Sequence, residues 1–373
     1  MDNIRTYLTI LVILHHISIG YGGAGGWLLY EADFNPIDNM TVILFTLFNA
    51  INQSYFMAFF FLLAGYFTPP SFEKKGGRNF FRGRLVRLGI PLVVYAAIVS
   101  PIVEFAAKNY AYGLNITFAE IMVNRMSNLV IGVDHLWFLM ALLIFSGMYV
   151  IYRSYRPSTE STPWYMNSFP RDRILILATV ALGGISFVVR TVSPIGVTFV
   201  VNFQLGHFTH YVFMFWIGIL AYYGGWFDSL SRSQATRWIG VAVLTLVTLP
   251  LIVVAFVNLE SPDFAPFMGG LTLESLVYSF WEGIALISIS IGVLHVFKTR
   301  LNRTNRIAGN MGGSAYTAYI IHAIVVVCLM ILLIPVALPA MVKFFIVALV
   351  GVPLIFFLSA LIRKIPYFSR VLG

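Results

Sequence analysis

Apolar residues fall into long, nearly unbroken runs separated by short polar stretches, without the period-two alternation of strands. Runs such as 85–107, 136–152 and 340–362 approach or exceed the ~20 apolar residues a helix needs to cross a bilayer core. Membrane-spanning strands would alternate, so the runs predict helices. With their polar punctuation they predict ten spans, at about 4–22, 40–68, 85–107, 134–153, 174–193, 207–225, 237–258, 272–297, 314–335 and 340–363. The expected fold class is an all-α polytopic membrane protein, with 1–373 forming one integral membrane domain. The longest polar stretch, 153–173, is too short for a soluble domain. No internal repeat of the inverted-topology kind is visible.

Composition agrees: 59% of residues are hydrophobic and 10% charged, and a mean hydropathy of +0.85 lies far outside the soluble range. A net charge of +9 raises the question of nucleic acid, but the cations are spread over short loops rather than gathered in a basic patch. They fit a topology signal instead. Arg5, six residues in 69–87, four in 153–173, two in 226–237, four in 298–313 and three after 362 make up 20 of the 24 lysines and arginines. Lys108, Arg125, Arg190 and Lys343 fall on the other side. The positive-inside rule therefore expects both termini in the cytoplasm, in a multi-pass protein of the cytoplasmic (plasma) membrane. The opposite loops carry most of the acids, and 22–39 is either a cover over an outer vestibule or an unstructured linker. The single cysteine, Cys328, excludes a disulfide framework and a cysteine metal site. The first run and its glycines resemble a secretory signal, but Arg5, His15 and His16 inside it favour a mature helix.

Chemistry is expected where polar residues enter apolar runs. Arg5 and His16 are eleven positions apart, which on a helix leaves them ~20° apart around the axis and ~16 Å along it. They share one stripe. An arginine facing lipid costs roughly 2.5–3.5 kcal/mol, so the stripe is expected to face a protein-lined, partly wet cavity. His15 points ~100° away and is expected to be secondary or structural. Glu282 is the acid deepest within a predicted span, placed to orient His16 or to pair with an arginine. Arg84 and Arg87 are neighbours on one helical face, in an inner basic loop with Lys74, Lys75, Arg78 and Arg82. Such a loop clamps phosphates or touches lipid headgroups. Pro69-Pro70 is expected to stop the second helix and Pro91 to interrupt the third. Gln204, His207, His210 and His322 show no metal spacing with a carboxylate, so no metal is expected. The 33 phenylalanines and 19 tyrosines read mostly as lipid-facing filler and belt.

Arg5 and His16, in Asp2-Asn3-Ile4-Arg5 followed by Leu11-Val12-Ile13-Leu14-His15-His16, resemble the R-x10-H signature of the membrane acyltransferase 3 family. Further stretches are similar in order: Phe60-Phe61-Leu62-Leu63-Ala64-Gly65-Tyr66-Phe67, Arg84-Leu85-Val86-Arg87-Leu88-Gly89-Ile90-Pro91, and His135-Leu136-Trp137-Phe138. Phe203-Gln204-Leu205-Gly206-His207-Phe208 and Tyr316-Thr317-Ala318-Tyr319-Ile320-Ile321-His322 complete the set, which most resembles the OpgC-like glucan-modifying branch. The resemblance runs from residue 2 to about 325.

It implies an O-acyltransferase that moves a small acyl group, acetyl or succinyl, from cytoplasmic acyl-CoA to a hydroxyl of an envelope glycan or other carbohydrate. No bound cofactor is implied; acyl-CoA is the donor co-substrate. His16 would be the general base, by direct transfer or through an acyl-histidine, with Arg5 and Glu282 assisting. Arg84 and Arg87 would hold the donor's phosphates. His135 and Trp137 would shape the acceptor entrance, unless Trp137 is a belt anchor. The alternative is a secondary transporter using His16, Glu282 and Arg5 as a proton or anion relay; a structural or regulatory subunit is a weaker third reading. The short lead before Arg5 points to a longer reading frame or a short inner cap. The close after the last span points to no fused extracytoplasmic domain.

Overall fold

The computed structural model describes residues 2–128, 132–155, 168–199, 202–301, 306–366, 368 and 371. Arg156, Arg303, Arg370 and the side chain of Arg306, counted above among the basic residues, lie outside the described residues. The elements are helical: α1 Asp2–Gly20, α2 Asn39–Lys75, α3 Gly77–Ala111, α4 Phe118–Ser127, α5 Trp137–Tyr155 and α6 Asp172–Val192. There follow α7 Phe208–Tyr223, α8 Arg232–Phe256, α9 Leu273–Thr299, α10 Arg306–Leu333 and α11 Ala340–Ile362. Among the described residues the one β-type pairing is the isolated bridge between Phe199 and Phe203.

Side-chain caps set several helix starts. Asp38 accepts from the Thr41 amide at 2.8 Å to open α2, and hydrogen bonds from Thr41 hold its carboxyl below the usual range. Thr117 and Glu120 form a capping box on α4, and Thr272 caps α9.

Prolines are handled differently from the sequence expectation. Pro69-Pro70 does not stop α2, which runs on to Lys75 and ends at Gly76, a residue with φ of 73°. A proline ring fixes φ near a helical value, so the loss is confined to two N–H donors that would have served the carbonyls four residues back. Pro91 likewise does not break α3. The run from 77 to 111 contains π turns at Leu85–Gly89 and Tyr95–Val99, each placed just before a proline. The Ile90 amide bonds the Leu85 carbonyl and the Ser100 amide bonds the Tyr95 carbonyl, so each widened turn makes room for the next residue, Pro91 or Pro101. Pro91 offers no N–H to the Arg87 carbonyl, and the Tyr316 hydroxyl of α10 donates to it at 2.5 Å.

Eight helices among the described residues are long and apolar enough to cross a membrane: α2, α3, α5, α6, α8, α9, α10 and α11. The remaining two expected spans are also helices, but α1, at 19 residues, carries Asp2, Asn3, Arg5 and two histidines, and α7 has 16 residues. The outward faces are apolar, with Leu177, Val192, Leu244 and Leu349 all well exposed. Such a surface suits lipid, and the chain is an integral, multi-pass membrane protein.

Apolar burial gives little drive between helices in lipid, so close packing must hold them together. Helices α2 and α7 meet backbone to backbone: a Cβ on Gly65 would lie 2.0 Å from the Phe215 carbonyl oxygen, and one on Gly218 would lie 2.2 Å from that of Leu62. Gly218→Val is therefore expected to lower the thermal midpoint of the detergent-solubilised protein sharply, or to abolish its folded yield. Gly240→Ala, in α8 with no heavy atom within 4 Å of the new Cβ, is expected to leave the midpoint unchanged or raise it. Equal behaviour of the two variants would contradict the packing account.

Candidate functional site

A cavity of about 640 Å³ opens at the end of the bundle where α1, α6 and α8 finish and α2, α7 and α9 begin. It is lined by Gly25, Trp27, Gly196, Asn202, Phe264 and Phe267, together with His15, His16, His135, Trp137, His207 and Tyr319. The segment between α1 and α2 covers it, which settles the choice between a cover and a linker. This segment is fixed by the buried ion pair of Glu31 with Lys343 of α11, and the Tyr112 hydroxyl donates to Asp33 at 2.5 Å.

His16 is the centre of an imidazole cluster. Its Nδ1 lies 3.0 Å from His322 Nε2, its ring stacks on Trp27 at 4.3 Å between centroids, and the His135 ring is 6.2 Å away. The protonation pattern follows from one acceptor. His322 Nδ1 lies 2.6 Å from the Tyr319 carbonyl, which can only accept, so Nδ1 carries the proton. In a neutral ring His322 Nε2 is then an acceptor, and His16 Nδ1 must donate to it. The lone pair of His16 is thereby assigned to Nε2. His135 is held by its Nε2 donating to the Ile320 carbonyl at 3.3 Å, and the Tyr319 hydroxyl donates to the His135 carbonyl.

Arg5 does not line this cavity. Its side chain is 43% exposed at the opposite end of α1, 3.2 Å from Asp2 and over the Phe67 ring at 5.0 Å. There it interacts electrostatically with Arg87, which in turn interacts with Arg84. Arg84 reaches Thr68 Oγ1 at 3.4 Å and sits over Phe80, and Arg87 sits over Tyr316. Neither Arg84 nor Arg87 has a carboxylate partner among the described residues. The expected shared stripe thus has two ends, a histidine at an open cavity and an arginine in a basic cluster, ~16 Å apart along one helix.

Glu282 meets one of its two expected roles, pairing with an arginine, and not the other, orienting His16. It is fully buried, as expected of a functional or paired acid, but it approaches neither His16 nor Arg5. Its partner is Arg190 of α6, also fully buried, which bonds Ser279 at 3.1 Å and the Gly206 carbonyl at 3.1 Å. His207 Nδ1 and His210 Nδ1 lie 3.5 and 3.7 Å from the carboxylate. Of these, His207 lines the cavity, so Glu282 touches it at second hand. His15, off the His16 stripe, also lines the cavity, on the side of α2, where it packs on Phe56 at 4.9 Å. The 100° between neighbouring positions separates two walls of one wide space. Trp137 faces the cavity and stacks on Tyr211 at 5.2 Å rather than anchoring in a belt.

Sequence reasoning gave no role to His322 or Trp27, because neither one's distance in sequence from His16 reveals the contact. Arg190 was counted among the few cations on the acidic side. All four of those cations are in fact paired with an acid: Lys108 and Arg125 share Glu104, Arg190 pairs with Glu282 and Lys343 with Glu31. Removing one partner of a buried pair leaves an uncompensated charge, at a cost of roughly 3–5 kcal/mol. Glu282→Ala is expected to destabilise the protein by that order, and the double variant Arg190→Met with Glu282→Met to recover most of the loss, read as thermal midpoints in detergent. Additive losses in the double variant would contradict the pairing.

Comparison with known proteins now places the chain. The acyltransferase domain model matches residues 1–364. The glucans biosynthesis protein C of Escherichia coli strain K12 is 24% identical over 229 residues, which covers 60% of this chain and 57% of that protein. The protein of that name from Escherichia coli O6:K15:H31 matches to the same extent. The chain thus aligns with less than two thirds of these relatives' length. No solved structure matches it significantly. A match over nearly the whole chain, on a helical membrane bundle whose motif histidine sits at an open cavity, shows that the chain belongs to the acyltransferase 3 family.

Proposed function

We propose that the protein is a membrane O-acyltransferase that moves a small acyl group, acetyl or succinyl, from cytoplasmic acyl-CoA to a hydroxyl of an envelope glycan, with His16 as general base. The observation that carries this reading is the His16–His322 contact at 3.0 Å, which leaves Nε2 of a neutral imidazole without a proton beside an open cavity. In the reaction Nε2 takes the proton of the acceptor hydroxyl while its oxygen attacks the thioester carbonyl carbon. The tetrahedral intermediate then loses the thiolate, which recovers that proton from the His16 imidazolium. An ester and a thiol result, with no net proton change.

The basic cluster of Arg5, Arg84 and Arg87 supports a polyanionic donor, since the guanidinium groups of Arg84 and Arg87, without a carboxylate partner among the described residues, suit phosphate oxygens. The cavity opens at the other end, so donor and acceptor would enter from opposite faces and meet at His16. The pairing of all four cations on the acidic side strengthens the topology signal and supports cytoplasmic termini, ten spans and residence in the plasma membrane. A glycan acceptor is supported by the name of the relatives. A relay through His16, Glu282 and Arg5 gains no support, because the three residues sit in three separate clusters.

In proteoliposomes supplied with labelled acyl-CoA and a glucan acceptor, His16→Ala is expected to reduce transfer roughly 10²- to 10⁴-fold. Arg84→Ala and Arg87→Ala are each expected to raise the donor KM roughly tenfold, with little change in acceptor KM. Normal transfer by His16→Ala would overturn the mechanism. Uptake of solute without any acyl donor would favour the transporter instead.

A further inference from the structure

Among the described residues, Asp134 is the one carboxylate lining the cavity, and no lysine or arginine lines it. Asp134 is also held with unusual care. Its backbone has φ of 42°, a left-handed conformation that non-glycine residues seldom adopt. Its Oδ2 accepts from Ser100 at 2.5 Å and from Tyr95 at 3.3 Å. Ser100 accepts in turn from Arg125 at 2.8 Å, and Arg125 is fixed by Glu104 at 2.7 Å. A Cβ on Gly132 would lie 2.3 Å from Arg125 Nη1, so a glycine is needed there for the guanidinium to reach Ser100. Helices α3 and α4 and the turn before α5 therefore converge on a single carboxylate oxygen.

The other oxygen, Oδ1, has no partner among the described residues and is not sealed from the cavity. It is adjacent in sequence to His135, whose ring faces His16. The aromatic groups of Trp27, Trp137, Tyr211 and Tyr278 line the same space.

We infer that Asp134 is the acceptor-anchoring residue: Oδ1 receives hydrogen bonds from hydroxyls of a neutral polyhydroxyl ligand, and its charge turns away anionic ones. A carboxylate tied through one oxygen keeps two lone pairs on the other, which suits neighbouring sugar hydroxyls. Charge-assisted bonds of this kind are stronger than neutral ones, and the aromatic faces supply apolar contact. A second anion in the cavity would meet the Asp134 charge with no lining lysine or arginine among the described residues to offset it. Only the description of the ligand as acceptor rests on the acyl-transfer reading; the binding claim does not.

The test is equilibrium dialysis of the full-length protein in nanodiscs against a labelled neutral glucan oligosaccharide and its uronic-acid counterpart, with acyl transfer measured in parallel. Wild type is expected to bind the neutral sugar and discriminate against the anionic one. Asp134→Asn is expected to weaken neutral binding roughly ten- to hundredfold and to narrow the discrimination. Ser100→Ala, which unties one anchor and keeps the charge, serves if Asp134→Asn does not fold, and is expected to weaken neutral binding several-fold. Gly240→Ala, in α8 away from the cavity, is expected to bind as wild type does. Unchanged sugar binding in the folded Asp134 and Ser100 variants, or preference of wild type for the anionic sugar, would overturn the proposal. Asp134-dependent binding without acyl transfer to any acceptor would uphold it while removing the acyltransferase reading.

Discussion

The Tyr319 carbonyl can accept a hydrogen bond but never donate one, and the direction of the hydrogen bond between His322 and His16 follows from that. His322 must carry its proton on Nδ1, so its Nε2 receives from His16. His16 is then left with a bare Nε2, the state a general base requires at neutral pH. Helix α10 thus acts on α1 through one backbone oxygen and one imidazole. Trp27, stacked on the His16 ring at 4.3 Å between centroids, restrains it against rotation.

Around this cluster the bundle solves a second problem, that of holding ions where water is scarce. An unpaired charge in the bilayer is costly, and among the described residues the deeply buried ones come in pairs: Arg190 with Glu282, and Lys343 with Glu31. Each pair also positions part of the cavity. The first stands behind His207 and ties α6 to α9. The second holds the segment after α1 against α11, which keeps Trp27 over His16. Arg84 and Arg87, which have no acid partner among the described residues, lie at the other end of the protein, where an anionic ligand is proposed to take that place.

Much of this was legible in the sequence because hydropathy and helical periodicity are local. Arg5 and His16 could be placed on one stripe from their spacing alone, and all ten expected segments proved helical. What escaped was set by contacts between distant segments. The partner of Glu282 is 92 positions away, and that of His16 is 306 away. Proline was misjudged for a different reason: local rules say that it interrupts a helix, whereas π turns before Pro91 and Pro101 let α3 continue. Asp134 looked like an ordinary loop acid, since neither its left-handed backbone nor its anchoring by Ser100 and Tyr95 is written in its neighbours.

The most direct measurement of the central claim is solid-state ¹⁵N NMR of the imidazoles in the protein reconstituted into bilayers, with His16 and His322 assigned by single substitution. The account predicts that at neutral pH both rings are uncharged and both carry the proton on Nδ1, with the His16 Nε2 signal in the range of a bare nitrogen. A His16 ring protonated on Nε2, or on both nitrogens, would contradict it.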